Sequence, residues 1–111
     1  MPKIDLPTFN ALKDSTGADF IGELIAAFLD DAPALIAQMR AALQTSNAEE
    51  FRRAAHSMKS NAATFGAMEL SAQAKELEAL ARANNLEVGA RVDTLAAEFE
   101  DVKIELTQLI K

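Results

Sequence analysis

Seven apolar residues in the last third of the chain, Val88, Val92, Leu95, Phe99, Val102, Leu106 and Leu109, are separated by steps that alternate strictly between four and three. Side chains so spaced gather on one face of an α-helix, whereas a strand would scatter them over both of its faces. Three earlier stretches keep the same rhythm: Ile21, Leu24, Ile25, Phe28, Ala32, Leu35, Met39 and Leu43; then Phe51, Ala55, Met58, Ala62 and Phe65; then Leu70, Ala74, Leu77 and Ala81. A shorter segment at about residues 5 to 13 carries Leu6, Phe9 and Leu12, with Pro7 tolerable in a first helical turn. The 23 alanines and 13 leucines outnumber the 15 Val, Ile and Phe residues by more than two to one, so intrinsic propensity agrees with the pattern. Four amphipathic helices on short connections bury their stripes best against one another. This predicts an all-α fold, an antiparallel up-down-up-down four-helix bundle with a short extra N-terminal helix lying across it. A chain of 111 residues is the size of one core, and residues 1–111 are read as a single domain without repeats or low-complexity linkers.

The punctuation between stripes sets the expected boundaries. Thr16 with Asp19 has the form of a capping box ahead of the second segment, and Asn47 with Glu50 has the same form ahead of the third. Gly66 offers a left-handed stop to the third segment, and Asn84 and Asn85 end the fourth, which covers about 67 to 84. Pro33 falls inside the second segment, where it removes a helical N–H, so the helix is expected to bend there or to restart from an Asp31 cap; the bend is the expectation.

Composition removes several classes of function. The chain has no Cys, Trp or Tyr, which excludes disulfide scaffolds, thiolate metal sites, cysteine nucleophiles and tryptophan stacking platforms. Its 11 basic and 17 acidic residues leave a net charge of −6, which repels nucleic acid and anionic membranes. The first residues lack a signal-peptide core, and the apolar stretch Phe20 to Leu43 is cut by Glu23, Asp30, Asp31, Pro33, Gln38 and Arg40, too often for a spanning helix. The reading is a cytoplasmic monomer whose partners are proteins, with no nucleic acid and no membrane among them.

His56 is the only histidine, so any imidazole chemistry falls on it. Helical rotation turns it about 140° from the centre of the stripe formed by Phe51, Ala55, Met58, Ala62 and Phe65, toward water. Lys59 lies three residues on, and Arg53 and Arg52 lie three and four back, which predicts a positive patch around the ring in an acidic chain. Such a patch suits a group that receives a dianionic phosphoryl moiety, although a solvated basic helix face is the common alternative. If the chain reverses at Gly66 and Ala67, residues equidistant from the turn lie side by side, and the residue opposite His56 is Glu78. A carboxylate there would accept a hydrogen bond from Nδ1–H and leave the Nε2 lone pair outward, as an attacking nitrogen requires. The competing arrangement pairs Glu78 with Arg82 four residues on. Ser60 and Ala63 are small, and beside His56 they would let another protein approach closely, though small residues are frequent throughout this chain.

The chain has no Gly-rich loop followed by Lys and Ser or Thr, no kinase signature set and no second histidine for a transition-metal pair. A phosphoryl group would have to come from another protein, and no metal site and no cofactor is expected.

The run His56-Ser57-Met58-Lys59-Ser60-Asn61-Ala62-Ala63-Thr64-Phe65-Gly66-Ala67 resembles the signature of histidine-containing phosphotransfer (HPt) domains: a phospho-accepting His followed by an apolar residue, Lys, usually Gly, small residues and a later Gly. Phe28-Leu29 with Pro33 and Leu35, Ala55, and Leu70 through Leu77-Glu78 extend the resemblance over about residues 20 to 82. It implies the same bundle, and a phosphorelay intermediate rather than an ATP-dependent kinase. By resemblance, His56 takes the phosphoryl group on Nε2 from a receiver-domain aspartate and passes it to another receiver, Lys59 interacts with that group, Glu78 orients the imidazole, and Gly66 ends the helix. The implied partners are response-regulator receiver domains and a hybrid sensor histidine kinase, docking around His56 with Arg52, Arg53, Ser60 and Ala63 at the contact; Mg²⁺ is expected on the receiver only. Ser60 departs from the family's usual Gly, and Glu78 stands where Gln is common, a change that favours imidazolium more strongly. A phospho-accepting domain of a hybrid or chemotaxis-type kinase would have the same chemistry, with the initial Met and close fit to one domain favouring a free-standing protein. A helical adaptor that is never phosphorylated is the alternative from another class.

Overall fold

Every apolar stripe named above lies on a helix or at its edge. The computed structural model describes residues 2–110 and contains α1 (Leu6–Thr16), α2 (Ala18–Gln44), α3 (Ala48–Thr64), α4 (Met68–Arg82) and α5 (Arg91–Leu109), with no strand among the described residues. Each of the four longer helices packs against the next, and α5 closes the ring against α2, while α1 lies on α2 and touches α3. The bundle is a rod of 42 × 25 × 19 Å, its long axis matching the 27 residues of α2 at about 1.5 Å per residue.

One hydrophobic core runs the length of this rod. The stripes of α3 and α4 are buried as expected, with Ala54 added on α3 and Glu78 on α4. On α2 the buried face is turned slightly from the expected one: Ile36 and Ala42 are interior, whereas Leu24, Leu35 and Leu43 are only partly covered, because α3 and α5 grip α2 from two sides and shift the centre of its stripe. Val88 is buried from the loop before α5 and not from the helix itself. Phe28 of α2 stacks on Phe65 at 5.1 Å and meets Phe99 of α5 edge-on at 5.8 Å, so one ring ties three elements together. Such aromatic pairs add about 0.5–1.5 kcal/mol each beyond the area they bury.

Two expected boundaries are corrected. Thr16 does not cap α2: it ends α1, its hydroxyl donates to the Leu12 carbonyl, and Gly17 precedes α2 without a side-chain cap. α1 accordingly runs past residue 13, capped at its start by Asp5, whose carboxylate accepts the Thr8 N–H at 3.2 Å. At Pro33 the expectation of one continuing helix holds over the alternative of a restart capped by Asp31, since α2 runs through the proline. The fifth helix also starts later than its stripe, at Arg91 and not at Val88, while the boundaries around α3 and at the end of α4 stand. The Asn47 side chain accepts the Glu50 N–H at 3.1 Å, and α4 ends where Asn84 enters the left-handed region.

The turn after α3 places the site. Gly66 N–H donates to Ala63 O and Ala67 N–H to Ala62 O, the paired bonds of a Schellman stop. Gly66 has φ +84, and its carbonyl accepts the Asp5 N–H at 2.8 Å. A Cβ at Gly66 would lie 2.8 Å from the Asp5 carbonyl oxygen, so the residue must be glycine for both conformation and close approach. Ile4, at 2 % exposure, anchors this N-terminal strap in the core.

Candidate functional site

His56 projects from the third turn of α3, opposite the buried Ala55 and Met58, with 54 % of its side chain exposed. The tight reversal at Gly66 lays α4 antiparallel beside α3 and brings Glu78 level with the imidazole, at 2.8 Å from Nδ1 to Oε2. Glu78 is only 4 % exposed. Lys59, one turn beyond His56, donates to Oε1 at 2.6 Å, and Arg82, one turn beyond Glu78, donates to Oε2 at 3.1 Å. The two arrangements that compete in the sequence, Glu78 with His56 or with Arg82, therefore coexist. Ser71 locks the register by donating from its hydroxyl to the Lys59 carbonyl at 2.9 Å. Sequence reasoning missed this bond because residue 71 lies four residues past the turn centre at 67 and residue 59 eight before it, so simple mirror pairing does not match them.

The electrostatics decide the tautomer. The Lys59 ammonium holds the Glu78 carboxyl below the usual carboxylate range, with His56 assisting and burial opposing. An ionised carboxylate only accepts hydrogen bonds, so Nδ1 carries the proton. In the neutral ring the lone pair then resides on Nε2, on the solvent side. The arrangement is an oriented, exposed imidazole with an outward lone pair, backed by a buried anion.

The positive patch expected around the ring is present but partly offset by acids. Arg52 grips Glu49 with two bonds of 2.7 and 3.1 Å, and Arg53 donates to the same carboxylate at 3.3 Å. Their combined pull, Arg52 first, holds Glu49 at about 2. The expectation counted cations along one helix and overlooked the anion one turn before them. Lys59 likewise faces Glu78 as well as the surface. Ser60 is exposed and Ala63 half-buried, both along the His56 side of α3. Next to them, Leu24, Ala27, Phe28 and Asp31 of α2 form a shallow groove of about 180 Å³ with Asn61 and Thr64. Among the described residues no group of three or more His, Cys, Asp or Glu side chains is placed to hold a metal ion, and no helix is long and apolar enough to cross a membrane.

Residues 23–110 match the family model of the Hpt domain, which extends the likeness through α5. No curated protein matches the chain. Among solved structures the chain is similar to histidine-containing phosphotransfer protein B (HptB) from Pseudomonas aeruginosa PAO1, with a TM-score of 0.92 and 30 % identity over 98 % of this chain and 95 % of that one.

Proposed function

The chain belongs to the Hpt domain family, and we propose that it serves its phosphorelay through His56, whose Nε2 takes the phosphoryl group. It is a phosphorelay intermediate in a family whose members work with receiver domains and kinases of two-component relays, and on this reading it carries the group without a kinase activity of its own. The observation that supports His56 as the carrier atom's residue is the 2.8 Å contact from Nδ1 to a buried, ionised Glu78.

In the forward step the Nε2 lone pair attacks the phosphorus of a receiver's aspartyl phosphate. The new N–P bond forms as the P–O bond to the aspartate breaks, and the aspartate leaves as a carboxylate. Nδ1 keeps its proton, so positive charge develops on the ring and faces the Glu78 anion. That anion is already in place and need not reorganise, which is how oriented charge lowers a barrier. Lys59 is positioned to reach from Glu78 Oε1 toward the incoming phosphoryl oxygens. The reverse step hands the group to a second receiver. Charge stabilisation on the phosphoryl group itself falls to the receiver, whose Mg²⁺ serves both partners, and the chain is read as needing no cofactor of its own.

Docking is assigned to the face that carries His56, Ser60 and Ala63. The groove between α2 and α3 receives apolar receiver side chains, and Arg52 and Arg53 lie at the rim. The partners on this reading are response-regulator receivers and a hybrid sensor kinase, met by a monomer in the cytoplasm.

Incubation with a phosphorylated receiver tests the reading. Acid-labile, alkali-stable label should appear on the chain and be absent from His56→Gln. Label on the variant would overturn the site, and failure of every receiver tried to label the wild type would overturn the function for the chain.

A further inference from the structure

Of the three groups that hold Glu78, Arg82 has no part in the chemistry described so far. It lies on α4, 67 % of its side chain is exposed, and its Nη2 donates to Oε2, the oxygen that also receives His56 Nδ1–H. Lys59 uses the other oxygen. The two protons that converge on Oε2 therefore compete for the same electron density, and one of them belongs to the nucleophile.

That competition matters because a buried carboxylate acts on an imidazole in two opposed ways. It orients the ring and stabilises the charge that develops during attack, but it also favours imidazolium, whose Nε2 carries a proton and cannot attack. A lone Glu beside His56 would strengthen both effects. Dividing the anion among Lys59, Arg82 and His56 retains the orientation and weakens the proton affinity it would otherwise confer.

We propose that Arg82 is a positioning residue for His56: by donating to Glu78 Oε2 it restrains the carboxylate and moderates its pull on Nδ1–H, so that the ring is oriented yet less readily protonated than Glu78 without Arg82 would make it. The proposal rests on His56 being the accepting residue. The charged groups that face the pair are limited. On α3 they are Lys59 and the Arg52–Arg53–Glu49 cluster, in which the acid offsets part of the basic charge. On α4 they are Glu78 and Arg82. From α2 comes Asp31, in the groove with Asn61 and Thr64, more than a turn farther along α3. Arg82 is the only one of these cations that shares an oxygen with the ring.

The chain's single histidine makes the test direct, since the imidazole resonances can be titrated by NMR without assignment ambiguity. In Arg82→Gln the titration midpoint of His56 should rise by a few tenths of a pH unit, the scale of an exposed ion pair, and Arg82→Lys should restore most of the difference. In a Glu78→Gln background the same Arg82→Gln change should leave the midpoint nearly still. An equal rise in both backgrounds would mean that Arg82 acts on the ring through space and not through Glu78; no rise, or a fall, would mean that it does not moderate the carboxylate. Either outcome overturns the proposal. Labelling by a phosphorylated receiver should slow more in Arg82→Gln at pH 6.5 and recover toward the wild-type rate at pH 8, where fewer protons compete for Nε2. A slowing that persists at pH 8 would overturn the protonation argument. The titration needs no receiver, so it reads Arg82 even if no receiver labels the wild type, which is the separate failure of the functional reading.

Discussion

Two glutamates are buried in this bundle, and they are held in different ways. Glu78, 4 % exposed, meets His56, Lys59 and Arg82, and both of its oxygens are engaged. Glu98 on α5, 7 % exposed, meets Lys3 at 3.0 Å, and among the described residues its buried Oε2 has no partner. Burial by itself therefore does not mark a carboxylate as functional. Glu78 is held ionised, engaged at both oxygens and joined to the solvent-facing His56 ring across a two-helix register. Glu98 fastens the N-terminal strap to the bundle through one flexible ammonium and leaves half of its bonding capacity unused, a state that costs stability and is tolerated only as a structural compromise.

The largest test of that contrast is kinetic. Glu78→Ala removes the ring's orienting anion and should slow labelling of His56 by about tenfold or more, whereas Glu98→Ala should leave the labelling rate within error of wild type. Rates measured at matched receiver concentration decide it, and an equal slowing in the two variants would erase the distinction drawn between the two acids. Next in size is Gly66→Ala. A side chain there must enter a left-handed conformation and displace Asp5, so thermal or urea unfolding should show a loss of about 1–3 kcal/mol. Because the strap that moves carries Lys3, NMR should report a changed environment at Glu98. The His56 ring should titrate as before if α3 and α4 keep their register.

Acid unfolding sharpens the comparison further. The folded-state pKa of Glu78 lies below its ordinary 4.5, so its ionisation contributes stability that is complete above that value and is lost as pH falls through the lower folded value. The wild type should therefore lose more stability than Glu78→Gln as pH is lowered from about 4.5, with the Glu49 contribution common to both proteins. Parallel curves for the two proteins would show that Lys59 and His56 do not hold the carboxylate ionised.

Much of this was legible in the sequence, for physical reasons that also explain the gaps. The stripes of α3, α4 and α5 gave the bundle because the helical period is rigid. The pairing of His56 with Glu78 followed from the position of Gly66, since one tight turn fixes the register of everything near it. The positive patch at Arg52 and Arg53 was legible from their spacing, but the share of it that Glu49 offsets was not, because that acid lies a turn earlier, at three and four residues from them. Thr16 was misplaced as a cap because Thr bonds equally well to the carbonyl four residues behind it. Glu98 escaped notice altogether. It sits between the stripe residues Leu95 and Phe99, and only the return of Lys3 from 95 positions away makes its burial tolerable, a contact that no local pattern encodes.

That long-range origin leads to the smallest effect. Glu98→Met keeps the volume of the side chain, removes an oxygen that has no partner and removes the acceptor for Lys3, whose ammonium can turn to water because a third of that side chain is already exposed. The gain from deleting an unsatisfied buried oxygen and the loss of one partly exposed ion pair are opposed and of similar size. Stability should therefore change by no more than about 1 kcal/mol in either direction. Chemical denaturation of Glu98→Met beside Glu78→Met separates the two acids cleanly. In the second variant both His56 and Lys59 lose their shared acceptor, and the ring loses its tautomer preference along with it. A Glu98→Met variant destabilised as strongly as Glu78→Met would show that the α5 acid is no less integrated than the one beside the imidazole.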